Sequence, residues 1–139
     1  MTRKRFDEKD TPFGSWLRSN PQLDSAFGFD GENLDYVWHD YKRGYIMLIE
    51  EKRYSGRSSY AQEDTHSLVD QAMQFACERM VFKRINKARP NQIKYFGYHH
   101  LVFENTSPLD GWIQWDGRRV TADELTRILR FETIGAHEH

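Results

Sequence analysis

The apolar and polar positions of the segment 34–54 predict a hairpin of two strands with a tight turn at Tyr41 to Gly44. The second strand begins with an apolar run and ends in three charged residues, a pattern typical of a strand that is covered on both faces. Because side chains alternate along a strand, Glu50 and Lys52 lie on one face in any register. Charge at the end of a buried strand is usually paired or functional.

The rest of the chain alternates between helical and strand periods. A helix is predicted before the hairpin, where Thr11 can act as the cap and Pro12 occupies the first turn. A long helix is predicted after the hairpin, with Asp64 or Thr65 as its cap, and it ends before Pro90. Two strands and a helix that opens with a capping box at Thr121 complete the chain. The predicted elements are a helix at 12–20, a helix at 62–88, strands at 94–104 and 112–115, and a helix at 121–132.

The spacing of apolar residues predicts which face of each of the three helices is buried. In the first helix, Phe13, Trp16 and Leu17 are spaced to cover a core. The last helix should turn Leu125, Ile128, Leu129 and Phe131 inward. The long helix carries a stripe expected to lie on the sheet: Leu68, Ala72, Phe75, Ala76, Arg79, Met80 and Phe82.

The register of the hairpin decides which carboxylate faces Asp35. A two-residue loop on Lys42 and Arg43 places Asp35 opposite Glu50. A three-residue loop with Gly44 in the left-handed conformation places it opposite Glu51 instead. Gly44 favours the second register, and a bulge near Asp35 would restore the first.

Paired carboxylates at this position suggest a metal site. Two neighbouring carboxylates repel and raise each other's pKa unless a cation lies between them. Mg²⁺ prefers oxygen ligands and keeps several of its waters, so Asp35 and Glu50 form a suitable minimal set. Lys52 beside them could hold and help to deprotonate a water, as metal-assisted hydrolysis of phosphodiesters requires.

The order Asp35, Glu50-Glu51-Lys52 at the end of an apolar strand, and then a long helix resembles the PD-(D/E)xK nuclease superfamily. Holliday-junction resolvases and small phage or bacterial endonucleases belong to this superfamily. The resemblance implies a restriction-endonuclease-like α/β fold, a mixed sheet flanked by helices, here with a C-terminal strand pair and helix. It also implies that Asp35 and Glu50 bind Mg²⁺ or Mn²⁺ and that Lys52 positions the attacking water. Some branches use a helix glutamine near the metal, for which Gln71 is the candidate.

The predicted function is therefore a magnesium-dependent endodeoxyribonuclease that nicks DNA or selects a DNA structure, with DNA as its partner and a homodimer as one possible assembly. Basic residues in the chain could hold backbone phosphates. The segment from Arg79 to Lys94 has six basic and no acidic residues, although cations also favour a helix C-terminus for electrostatic reasons. The residues assigned to phosphate are Arg53, Arg57, Lys83 and Lys87.

Composition narrows the class of protein. A chain of 139 residues with 14% aromatic residues fits one folded domain, 1–139, with tails at 1–10 and 132–139. The chain has no apolar run that could span a membrane and no signal-peptide core in its first residues, so a cytoplasmic protein without membrane contact is expected. The net charge of −1 leaves DNA binding to a local basic face. The lone Cys77 is expected to be buried and inert.

Two other functions fit the same residues. A catalytically inactive module of the same fold could bind nucleic acid or a protein partner, and a structural accessory protein would bind neither metal nor DNA. A histidine-based nuclease site at His99 and His100 is disfavoured, because adjacent residues of a strand point to opposite faces. His39 and His66 are expected at the surface or in a hydrogen-bonded core rather than at a metal.

Overall fold

A computed structural model describes residues 11–132 of the chain. It divides into two compact units, Met1–Glu32 and Asn33–His139. The predicted tails at 1–10 and 132–139 lie outside the described residues, except for Glu132.

The described part of the first unit, residues 11–32, contains one helix, α1 (Pro12–Ser19), followed by two 3₁₀ turns at Pro21–Leu23 and Ser25–Phe27. The hydroxyl of Thr11 accepts a hydrogen bond from the amide of Gly14, and Pro12 occupies the first turn, as the sequence predicts. Phe13 and Trp16 stack on each other but remain exposed, so the prediction that they cover a core is wrong within the described residues.

The second unit is a five-stranded mixed sheet with a helix on each face. The strands lie in chain order, and only the second and third are parallel, with a helical crossover between them. This confirms an α/β chain with a mixed sheet, although the last strand was not predicted. The elements are β1 (Tyr36–Asp40), β2 (Tyr45–Lys52), α2 (Tyr60–Arg79), β3 (Lys94–Phe103), β4 (Ile113–Trp115), β5 (Arg118–Val120) and α3 (Ala122–Leu129).

The main hydrophobic core lies between the sheet and α3. The capping box at Thr121 begins this helix as predicted, because Thr121 and Glu124 satisfy each other's backbone amides. Its inward residues pack on the odd-numbered face of β2, which carries Met47 and Ile49. The other face of β2 is therefore left to α2. The buried members of the core are Met47, Ile49, Leu101, Phe103, Ile113, Trp115, Leu125, Ile128 and Phe131.

Helix α2 begins earlier and ends earlier than its sequence pattern predicts. Ser59, rather than Asp64 or Thr65, is the cap, and the helix ends at Arg79. Its buried residues are Gln62, His66 and Cys77, which recur at helical spacing. No helix within residues 11–132 has the combination of length and apolar character that crossing a membrane demands.

The stripe predicted to lie on the sheet is instead turned outward. Leu68, Phe75 and Met80 are all exposed. The prediction assumed that the apolar side of α2 faces the sheet. The part of the sheet under the start of α2 carries Glu50 and Lys52, so a polar residue of the helix, Gln62, faces it and bonds to both.

The hairpin register places Asp35 opposite Glu50. Tyr36 pairs with Ile49 and Asp40 with Tyr45, which leaves a four-residue loop at 41–44. Gly44 adopts a left-handed conformation with φ of +76° and donates its amide to the carbonyl of Asp40. The expectation that a left-handed Gly44 shifts the register was therefore wrong, because the longer loop accommodates this glycine without a slip.

Replacing Gly44 with alanine should lower the free energy of unfolding by about 2 to 3 kcal/mol. A Cβ there would meet the carbonyl oxygen of Gln92 at 2.6 Å, in addition to the strain of the positive φ. Gly117 is a matched control, because its φ is +84° and an added Cβ would meet nothing within 4 Å. Urea unfolding of both alanine variants separates the two costs. If both variants lost the same free energy of unfolding, the contact with Gln92 would add no cost to that of the positive φ.

A bulge in β3 changes which side chains face α2. The pairing with β2 shifts by one residue between Ile46 and Leu48, where Gly97 has a φ of +97°. Tyr95 and Tyr98 consequently reach the same face, since both bond to residues of α2. Without the extra residue, Tyr98 would point toward the α3 core.

Candidate functional site

A buried ion pair lies between β2 and α2. The Nζ of Lys52 is 3.0 Å from Oε2 of Glu50, and it donates a hydrogen bond of 3.1 Å to Oε1 of Gln62. The amide nitrogen of Gln62 lies 3.4 Å from the same oxygen of Glu50, which closes a triangle of three side chains. Glu50 is 1% exposed and Lys52 is 7% exposed, so the structure brings together the predicted Glu50 and Lys52 away from bulk water.

Gln62 is held by the start of its own helix. Ser59 and Gln62 form a capping box, in which Oε1 of Gln62 accepts the amide of Ser59 and the hydroxyl of Ser59 accepts the amide of Gln62. The same Oε1 therefore serves the cap and Lys52. The S-x-x-Q pattern of this capping box is a sequence signal for Gln62, whereas the resemblance to the nuclease superfamily points to Gln71. Gln71 is exposed and bonds to Ser67, away from the site.

Burial raises the pKa of Glu50, a shift that Lys52 opposes and Asp35 reinforces. Its second carboxylate oxygen, Oε1, has no hydrogen-bond partner among the described residues. Nδ1 of His66 lies 3.9 Å from this oxygen, beyond hydrogen-bond distance. A buried acceptor without a donor is costly, so a ligand that bound this oxygen would stabilise the fold.

Asp35 lies directly before β1 and is exposed. Its Oδ2 accepts the amide of Glu51 at 2.8 Å, which extends the pairing of β1 and β2 by one side-chain contact. The other oxygen is available on the same strand end as Glu50, and the charge of Asp35 contributes to the raised pKa of Glu50. The structure thus brings Asp35 next to the pair, although its one backbone bond is to Glu51.

His66 connects the start of β1 to β3 beneath the ion pair. Its Nε2 lies 2.9 Å from the carbonyl oxygen of Asn33, and its Nδ1 lies 2.9 Å from the hydroxyl of Tyr98. Since a carbonyl can only accept, Nε2 carries a proton. The expectation of a hydrogen-bonded core histidine is confirmed, because His66 is 2% exposed.

A polar chain continues from Tyr98 to the surface. Its hydroxyl lies 3.1 Å from Oε2 of Glu63, which is 2.9 Å from Nε2 of His100. Burial opposes ionisation of Glu63, but the hydrogen bond and charge of His100 outweigh it and lower the pKa of this carboxyl. Burial and the nearby Glu63 raise the pKa of Tyr98 above the usual range. The sequence singled out His100 but not Tyr98 or Glu63, and the position of Tyr98 beside Glu63 depends on the bulge in β3.

His99 lies on the opposite face from His100, as strand geometry requires. Its ring stacks on Trp115 in the core, and Nδ1 lies 2.6 Å from Oδ2 of Asp116. Nε2 faces the carbonyl oxygen of Phe96 at 2.7 Å. Both ring nitrogens are thus occupied by neighbouring groups, and the two histidines cannot share one metal.

The basic residues predicted to hold phosphate fall into two groups. Arg53 and Arg57 are exposed in the connection from β2 to α2, and Arg53 lies 3.5 Å from Glu51, whose side chain is on the other face of β2 from Glu50. Lys83 and Lys87 follow the end of α2, so the prediction of a helix at 62–88 that would include them is wrong. Their segment packs near the hairpin turn, where the carbonyl of Gly44 accepts the amide of Lys94. That turn lies roughly 20 Å along β2 from Lys52.

The chain reverses sharply beside Lys52. Tyr54 and Ser55 both have positive φ values, 56° and 59°, which is unusual for residues with side chains. Their amides are held by the carbonyls of Asn105 and Phe103. Two consecutive residues in the left-handed conformation therefore reverse the chain at the end of β2, between Arg53 and Arg57. Backbone strain of this kind often accompanies functional sites.

The described residues offer a limited set of metal ligands. Within 11–132, no cluster of three or more His, Cys, Asp or Glu side chains is arranged to hold a metal. A hard cation that keeps most of its waters needs only one or two carboxylates, so Asp35 and the unpartnered oxygen of Glu50 fit magnesium better than zinc. Comparison of the chain with protein-family models, curated proteins and solved structures finds no match.

Proposed function

We propose that this protein is a Mg²⁺-dependent nuclease that hydrolyses DNA phosphodiester bonds at the strand end formed by Asp35, Glu50 and Lys52. The observation that carries the proposal is the unpartnered Oε1 of a carboxylate that is 1% exposed. A divalent cation would satisfy this oxygen and offset the repulsion from Asp35.

Asp35 and Glu50 would hold the cation, which would supply a bound water of lowered pKa and polarise the phosphate. Glu50 and Gln62 hold the ammonium group of Lys52 in place, so its positive charge has a fixed position beside the carboxylates. In the proposed reaction Lys52 orients the attacking water through its one remaining N–H. In this proposal Gln62 positions Lys52 through their hydrogen bond and does not contact the substrate.

DNA is the proposed substrate because exposed cations flank the site. Arg53 and Arg57 lie within a few residues of Lys52 and face solvent. Contacts to backbone phosphates position a duplex without reading its bases, so nicking or structure-selective cleavage fits better than strict sequence recognition. Lys83 and Lys87 would contact a more distant part of the same strand.

The test is cleavage of supercoiled plasmid and branched DNA by the full chain in Mg²⁺, Mn²⁺ or EDTA. Asp35→Asn is the informative variant, because an amide oxygen can still accept the Glu51 amide while the charge is lost. We expect Asp35→Asn to reduce cleavage by about 100-fold or more. It should also weaken Mg²⁺ binding measured by calorimetry, a readout independent of turnover.

Glu51→Gln is the matched control, since Glu51 is the next residue of the strand but lies on the other face. It should retain cleavage and metal affinity. Cleavage that persists in EDTA, or that survives Asp35→Asn unchanged, would contradict the proposal. Circular dichroism melts of both variants establish that the fold is intact.

The second candidate is a binding module without turnover, and the burial of the ion pair favours it. Lys52 already neutralises one oxygen of Glu50, and two open clefts of about 460 and 390 Å³ in the described part of the chain lie elsewhere, at the hairpin turn and on the α3 face. DNA retention in a gel shift without cleavage in any metal would support this candidate. Loss of both activities would leave the pair as a structural contact.

A further inference from the structure

The outer face of α2 carries an apolar stripe with charged ends. Leu68 and Phe75 are 63% and 62% exposed, although their spacing is that of a buried helix seam. Asp64 precedes them and Arg79 follows them on the same side, and the four side chains fall within about 60° of the helix circumference. A face of this composition fits an interface better than a solvated surface.

The stripe is symmetric about its midpoint. An apolar residue lies at the same distance on each side, and beyond it lies a charged residue, which is acidic at one end and basic at the other. Asp64 and Arg79 are equally far from the midpoint between Gln71 and Ala72, and so are Leu68 and Phe75. A second α2 that crosses antiparallel at this midpoint would place Leu68 against Phe75 at two symmetric points. The same arrangement would place Asp64 against Arg79 twice, as a two-fold interface requires.

We propose that the protein forms a two-fold homodimer through this stripe, with the α2 helices antiparallel. Charge complementarity selects a second copy as the occupant, because each end of the stripe matches the opposite end of its own sequence. Gln71 and Ala72 flank the two-fold axis, and the small side chain of Ala72 leaves room for the partner helix. The proposal does not depend on the nuclease activity, since none of the four residues contacts Glu50 or Lys52.

Arg79 is available to make this contact. In the single chain its guanidinium lies 4.0 Å from the ring centre of Phe75 and 3.3 Å from Oε1 of the adjacent Glu78. Both members of that ion pair are more than half exposed, so the pair is weak and exchangeable. A partner's carboxylate would replace Glu78 while the ring of Phe75 became buried.

The test is sedimentation equilibrium of the full chain and of charge-reversal variants. Asp64→Arg and Arg79→Asp each convert two attractive pairs into two repulsive ones, and each should weaken the dimer about tenfold or more. The double variant Asp64→Arg/Arg79→Asp should regain wild-type association. An equimolar mixture of the two single variants should form a heterodimer, because its four charges are again complementary.

Gln74→Arg is the control, because Gln74 is exposed on the same helix but lies to one side of the stripe. It should leave the dissociation constant unchanged. Phe75→Asp should abolish association without changing the melting temperature of the monomer by more than a few degrees. A wild-type chain that remains monomeric at all concentrations, or a dimer insensitive to both reversals, overturns the proposal.

Discussion

Replacing Lys52 with methionine should lower the free energy of unfolding by about 3 to 5 kcal/mol at pH 7. The reason is that Glu50 would remain in an environment where it is 1% exposed, without the cation that now lies 3.0 Å from it. Methionine keeps the length and apolar character of the lysine stem, so the loss reports the charge and not a cavity. Urea unfolding followed by circular dichroism measures it.

The free energy of unfolding that is lost in Lys52→Met should increase as the pH rises. Burial already raises the pKa of Glu50 above its ordinary 4.5, and removal of Lys52 would raise it further. The folded variant would then bind more protons than the unfolded chain, so its stability falls as the pH rises through this window. The gap between wild type and Lys52→Met should therefore widen from pH 4.5 to pH 7.

The double variant Glu50→Gln/Lys52→Met separates charge burial from packing. It removes both charges and keeps an amide that can bond to Gln62, so most of the lost stability should return. If the double variant were as unstable as Lys52→Met alone, the lost stability would come from packing of the two side chains and not from the buried charge of Glu50. A Lys52→Met loss below about 1 kcal/mol would mean that water reaches Glu50 in solution.

Replacing His66 with alanine should cost about 2 to 4 kcal/mol. The change leaves a cavity at a site that is 2% exposed and removes the contacts with the carbonyl of Asn33 and the hydroxyl of Tyr98. Asn33 lies two residues before Asp35, so we also expect faster hydrogen exchange in β1. Thermal unfolding and exchange measured by mass spectrometry test both effects.

Gln71→Ala on the same helix is the control, since Gln71 is exposed and its side-chain amide donates a hydrogen bond to the hydroxyl of Ser67. It should change stability by less than about 0.5 kcal/mol. An unaltered exchange rate in β1 of His66→Ala would contradict the view that His66 anchors the strand that carries Asp35.

Elements with strong local signals were correctly predicted from the sequence. The capping box at Thr121 and the cap at Thr11 are satisfied within one turn of chain, so no distant contact can override them. The same holds for Glu50 and Lys52, which share a face of β2 because strand alternation is a property of the backbone. The α/β class follows from the order of these elements.

The orientation of α2 could not be predicted in the same way. Its apolar stripe through Leu68 and Phe75 was assigned to the sheet, whereas the inward face carries Gln62 and His66. A helix can offer either face to a sheet, and the polar strand end beneath it, rather than its own periodicity, decides which one is buried. The presence of a coherent apolar face on the outside is the basis for the proposed dimer.

The sequence by itself determined the strand with Glu50 and Lys52, its neighbour with Asp35, and the starts of α1 and α3 at their local caps. Only the tertiary structure decided the four-residue loop that sets Asp35 opposite Glu50, and the bulge at Gly97 that turns Tyr98 toward His66. The physical reason is that alternation and capping act between neighbours in the chain. Register, bulges and helix orientation depend on contacts between residues far apart in sequence, whose energies are settled only when the sheet and helices pack together.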